Sequence, residues 1–161
     1  MTEMMFKRFT VSEFEQALLF RDGRFVRLLD PGVHWIRGDA VRVDLRRRDM
    51  EVDVAPVHTL DQVPVGVRLM VAFRVTDPKA AILQGVDYRL HLAHDAMAAV
   101  HRSVSAVPMA GLSAAHRTLE HQLHDRMSLE TASYGVRVVD VAIVQVRFPR
   151  AIRKKLKRME V

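Results

Sequence analysis

Apolar and polar positions divide this chain into a front half that alternates and a back half that repeats every three to four residues. Two apolar runs, Ala17–Phe20 and Phe25–Leu29, flank Asp22-Gly23. A type I′ turn needs positive φ at both central residues, so Asp-Gly between apolar runs predicts a hairpin of Glu13–Phe20 and Arg24–Leu29. Pro31-Gly32 then redirects the chain into Val33–Ile36. Val41, Val43 and Leu45 alternate with Arg42, Asp44 and Arg46, and Met50, Val52 and Val54 alternate with Glu51 and Asp53. Both patterns predict half-buried strands. Val63–Val75 is the most strand-like run, and Pro64 and Gly66 near its start predict an edge position or a bulge.

Asp77-Pro78 opens a short helix, with Asp77 as the cap and Pro78 at the first helical position. Leu92, Ala96, Ala99 and Val100 give helical spacing to a second helix, from Tyr88 to about Val104. Pro108 and Gly111 break it. A third helix, roughly Leu112–Ser133, places Leu119, Leu123 and Met127 at four-residue steps and ends at Gly135, which suits the left-handed position after a helix. Val136–Phe148 is a last strand that must return to the sheet, and Pro149 starts a final helix. Strands and helices are segregated, so the fold class is α+β, a β-rich half followed by helices, a returning strand and a basic helix.

The length of 161 residues fits one domain with a real core, and the absence of cysteine removes disulfides, thiolate metal sites and cysteine nucleophiles. Charge changes the picture more. The formal net charge is +6, and residues 145–161 hold seven basic side chains and one acid, so the tail alone accounts for it. A globally basic nucleic-acid-binding domain does not fit that distribution. No apolar run approaches the length of a membrane-spanning helix. Serines are present, but none sits in G-x-S-x-G or S-x-x-K, and neither a phosphate-binding loop nor G-x-G-x-x-G occurs.

A set of short motifs runs the length of the chain in order: Phe20-Arg21-Asp22-Gly23-Arg24-Phe25 with Pro31-Gly32; Asp44 with Arg46; Thr59-Leu60-Asp61-Gln62-Val63; Phe73-Arg74-Val75 with Asp77-Pro78; Arg117; Tyr134-Gly135-Val136; and Phe148-Pro149. With these residues the chain resembles the SPFH (band 7) domain of the stomatin, prohibitin and flotillin superfamily, most of all its stomatin/slipin branch. The resemblance implies a segment at 1–9, the domain at 10–148 and the start of a coiled-coil helix at 149–161. It implies a non-catalytic scaffold without a cofactor. Such a scaffold forms homo-oligomers on the cytoplasmic face of a membrane and organises proteases, channels or lipid microdomains.

Met4, Met5, Phe6 and Phe9 are then candidates for a shallow apolar membrane contact, too few for a full transmembrane helix. Arg153, Lys154, Lys155, Lys157 and Arg158 are candidates for contact with anionic lipid, where each basic residue near the surface contributes about 1 kcal/mol before screening. Ile152, Leu156 and Met159, spaced four and three apart, begin an a/d seam for self-association. Arg46-Arg47-Arg48 forms a second basic cluster, in which strand alternation turns Arg47 away from its neighbours. Two further readings stand beside the scaffold. One is a soluble module that binds a protein partner. The other is a divalent-metal site built from His91, His94 and His101 on one helix and His121 and His124, with Glu120 and Asp125, on the next.

Overall fold

The computed structural model describes residues 5–159, except the side chains of Leu156 and Met159. The strands are β1 Lys7–Val11, β2 Glu15–Arg21, β3 Arg24–Leu29, β4 Gly32–Ile36, β5 Asp39–Asp44, β6 Arg48–His58, β7 Pro64–Val75 and β8 Val136–Arg147. The helices are α1 Pro78–Leu83, α2 Tyr88–Ser105, α3 His116–Thr131 and α4 Arg150–Met159. Antiparallel pairing gives three small sheets: β1 with β4, β3-β2-β5, and β6-β7-β8. The α+β order expected from the pattern is the order observed.

The turn chemistry is as expected at the first hairpin, where Asp22 and Gly23 take φ of 50° and 74°. Strand β2 is buried on both faces, which explains why Ala17–Phe20 reads as a continuous apolar run. Leu18 faces the main core, while Ala17 and Leu19 join Val11, Leu29 and Ile36 in a smaller one. The main core lies between β6-β7-β8 and the paired helices α2 and α3. Val67, Leu69 and Val71 of β7 meet Leu92 and Val100 of α2 and Leu119, Leu123 and Met127 of α3. Each such side chain, fully buried, contributes about 1.5–3 kcal/mol.

Three expectations need correction. Strand β7 is central, so of the two readings of Pro64 and Gly66 the edge fails and the bulge holds: the β6 register shifts between Val54 and Val57, opposite Gly66. Pro64 is its first residue, where a missing N–H costs little. Gly66 leaves room for the Arg147 guanidinium, which a Cβ would approach to 2.8 Å. Helix α3 starts at His116 instead of Leu112, because the link before it is pinned to the β6–β7 turn. The Asp61 carboxylate accepts from the Met109 N–H at 3.0 Å, and the Leu60 N–H donates to the Val107 carbonyl at 3.0 Å. Val41 is exposed and only Val43 of its set is fully buried, since β5 lies at the edge of its sheet.

The long sheet gives the molecule an axis. At one end Arg48 of β6 pairs with Phe73 and Val136 of β8 pairs with Val75. At the other end His58 pairs with Pro64, and Arg147 pairs with Gly66. The β1–β5 half therefore enters at the first end, and α4 leaves from the second. At about 3.3 Å per residue these ends are roughly 35 Å apart.

Candidate functional site

The β1–β4 ribbon presents an exposed apolar face beside Met5 and Phe6. Its register places Arg8 opposite Trp35 and Thr10 opposite Val33. Trp35 is 66% exposed, Val33 53%, and Phe6, just before β1, 62%. The alternate residues turn inward, where Val11 and Ile36 are buried. Met5 is also exposed, and Met4 lies outside the described residues. Phe9 does not belong with them. Strand alternation turns it toward the smaller core, and the Arg42 guanidinium covers its ring at 4.2 Å. Sequence reasoning missed Val33 and Trp35. The alternation Val33-His34-Trp35 after the Pro-Gly corner was the signal that could have found them.

The basic tail is a helix, as expected. Pro149 starts it by accepting from the Ile152 and Arg153 N–H groups, both at 3.0 Å, and the Arg153 Nε donates to the Phe148 carbonyl at 3.0 Å. Arg153, Lys154, Lys155, Lys157 and Arg158 are exposed, and Ile152 is half-buried. The side chains of Leu156 and Met159, the rest of the seam, lie outside the described ones. The apolar face and the basic helix stand at opposite ends of the long sheet.

Strand alternation does not govern the arginine cluster, because Arg46 and Arg47 lie in the link between β5 and β6 and Arg46 and Arg48 part ways. Arg46 turns back to Asp44, donating from Nη2 at 2.7 Å. That contact, with the Arg46 amide, lowers the Asp44 carboxyl to about 2. Arg48 packs inward and its Nη2 donates to the Tyr88 hydroxyl at 2.5 Å. Asp53 holds Arg147 through two hydrogen bonds of 2.9 and 2.5 Å, and its carboxyl falls below the usual range for that reason first.

The histidines do not assemble into a site. The His91 ring packs on Tyr134, with centroids 4.7 Å apart. Nε2 of His124 lies 3.2 Å from the Val138 carbonyl, and His94, His101 and His121 are exposed. Among the described residues, no three His, Cys, Asp or Glu side chains are grouped to hold a metal. Glu120 accepts from the Ile143 N–H at 2.8 Å instead. No helix of the described residues is long and apolar enough to cross a membrane.

The family model that describes the SPFH domain / Band 7 family matches residues 9–161. This chain belongs to that family. It is 32% identical to a stomatin homologue of Pyrococcus horikoshii over 151 residues, covering 92% of this chain and 57% of that protein. It is 31% identical to a stomatin homologue of Pyrococcus abyssi over 149 residues, covering 91% of this chain and 56% of that protein. With mechanosensory protein 2 of Caenorhabditis elegans the identity is 26% over 151 residues, covering 91% of this chain and 31% of that one. The SPFH chain thus spans a little over half the length of the two archaeal relatives. Family membership supports a stomatin-type scaffold in general, within a family that is generally non-catalytic.

Proposed function

We propose that this SPFH chain is a non-catalytic scaffold that rests on the cytoplasmic face of a membrane, self-associates, and organises membrane proteins, proteases or lipid microdomains. The observation that carries the membrane part is the exposed face of Phe6, Val33 and Trp35 beside Arg8. Tryptophan combines an apolar ring with an N–H donor and favours the bilayer interface, and a flanking arginine meets lipid phosphate. Contact by this face leaves α4 pointing away from the bilayer, free to continue the Ile152, Leu156 and Met159 seam into a subunit contact. The basic side chains of α4 then flank that seam in solvent.

Flotation on anionic and neutral vesicles, at low and high salt, tests this reading. The full chain is run beside a chain ending at Phe148 and a Phe6→Ser/Trp35→Ser variant. Salt-resistant binding that survives truncation and is lost in the variant is expected. Salt-sensitive binding lost on truncation would move the contact to α4. No binding under any condition would leave a protein-interaction module and sink the membrane reading for these residues.

A further inference from the structure

The outer face of β6-β7-β8 pairs its arginines with acids except in one row. Arg68 lies 3.3 Å from Glu51 and 3.6 Å from Asp53, and Arg147 is held by Asp53. At the end nearest β5, Arg74 is the direct cross-strand partner of Arg137. Arg47, one residue before the Arg48–Phe73 pair, lies level with both. Like charges placed directly opposite on a sheet destabilise it. Among the described residues Arg74 and Arg137 have no ion pair, and Arg47 has only the solvent-exposed Asp49 at 4.0 Å.

These three arginines line one groove of about 890 Å³ that runs round the edge of β8 to α3. His124, Ser128 and Thr131 supply its far wall, and no acidic residue of the described chain lines it. Thr131 is only 1% exposed, yet its Oγ1 has no hydrogen-bond partner. A buried hydroxyl without a partner is costly, and so is the unmatched arginine row. The arginine row selects one ligand class: an anion with several acceptor oxygens, which can take two guanidinium forks together.

We propose that this groove binds a phosphomonoester, carried either by a small soluble molecule or by a lipid headgroup. The site does not depend on the membrane reading, because free phosphate reads it without any vesicle. The test begins with the thermal midpoint of the full chain, titrated with inorganic phosphate against chloride at matched ionic strength. Phosphate is expected to raise the midpoint of the wild-type chain and leave an Arg74→Gln/Arg137→Gln variant unmoved. Arg74→Gln alone is expected to weaken binding by about tenfold.

The second arm is flotation on phosphatidylcholine vesicles with and without phosphatidic acid. Extra binding to phosphatidic acid that is lost in the double variant supports the site with a lipid source, whereas a response to free phosphate alone supports a soluble one. Equal responses of wild type and double variant, or no response in either arm, overturn the proposal. A changed sedimentation coefficient in the double variant with no phosphate effect also overturns it, and assigns the row to a contact with a second copy.

Discussion

Tyr134 and Asp95 lie 39 positions apart in the chain, and the tyrosine hydroxyl donates to the aspartate Oδ2 at 2.5 Å. Burial, and next this hydrogen bond, keep the phenol protonated far above its ordinary range. The contact ties the middle of α2 to the turn that leads into β8. Tyr134→Phe is expected to cost about 1–3 kcal/mol in urea unfolding, because it leaves the carboxylate without its donor. Asp95→Asn keeps an acceptor oxygen and is expected to cost less.

Gly135 fixes the entry to β8. Its φ is +69°, and its carbonyl accepts from the Thr76 N–H at 2.8 Å and the Asp77 N–H at 3.1 Å. A Cβ there would overlap the Asp77 carbonyl oxygen. Gly135→Ala therefore combines a left-handed backbone with a backbone clash, and is expected to cost more than about 2 kcal/mol. The measure is the chemical-denaturation midpoint. The same substitution at Gly23, also at positive φ but with open space around its Cβ position, is expected to cost less.

Strand β8 has no strand on its outer side among the described residues, and α3 supplies the missing partners through Glu120 and His124. Glu120→Ala is expected to leave the Ile143 N–H unpaired, lower stability by about 1–3 kcal/mol, and increase self-association in sedimentation, since an uncovered edge invites pairing. Glu120→Gln retains an acceptor and is expected to restore most of the loss.

Stability should also fall in acid in a defined window. The Asp44 carboxyl sits at about 2 in the folded chain, against an ordinary 3.8. Its contribution is complete above about pH 4 and is lost as the pH falls toward 2. Because the Arg46 side chain is 62% exposed, solvent screening limits the effect to below about 1 kcal/mol. Urea midpoints measured from pH 6 to pH 2 are expected to fall less steeply for Asp44→Asn than for wild type.

Much of the fold was legible because local chemistry and tertiary structure agree. Asp22-Gly23 made its turn, Asp77 capped α1 by accepting from the Ala80 N–H at 3.2 Å, and Gly135 took the left-handed position. What stayed hidden depends on distant partners. The central place of β7 follows from β8 returning after sixty intervening residues, which no local pattern around Pro64 records. The late start of α3 is set by Asp61, far earlier in the chain. For the candidate site, exposed Met5 and Phe6 were legible, while Trp35 required the β1–β4 register and Phe9 was misread for want of it. The Arg47, Arg74 and Arg137 row could be read only once three strands were aligned.

The opposed ends of the long sheet have a mechanical consequence. Tension applied between the β1–β4 ribbon and α4 pulls β6 from its first residue and β8 from its last, in opposite directions along the strands. Both ladders to β7 are then loaded in shear, so their hydrogen bonds share the force instead of breaking one after another. A chain gripped at those two points is built as a strut that resists stretching, with yield set by β7.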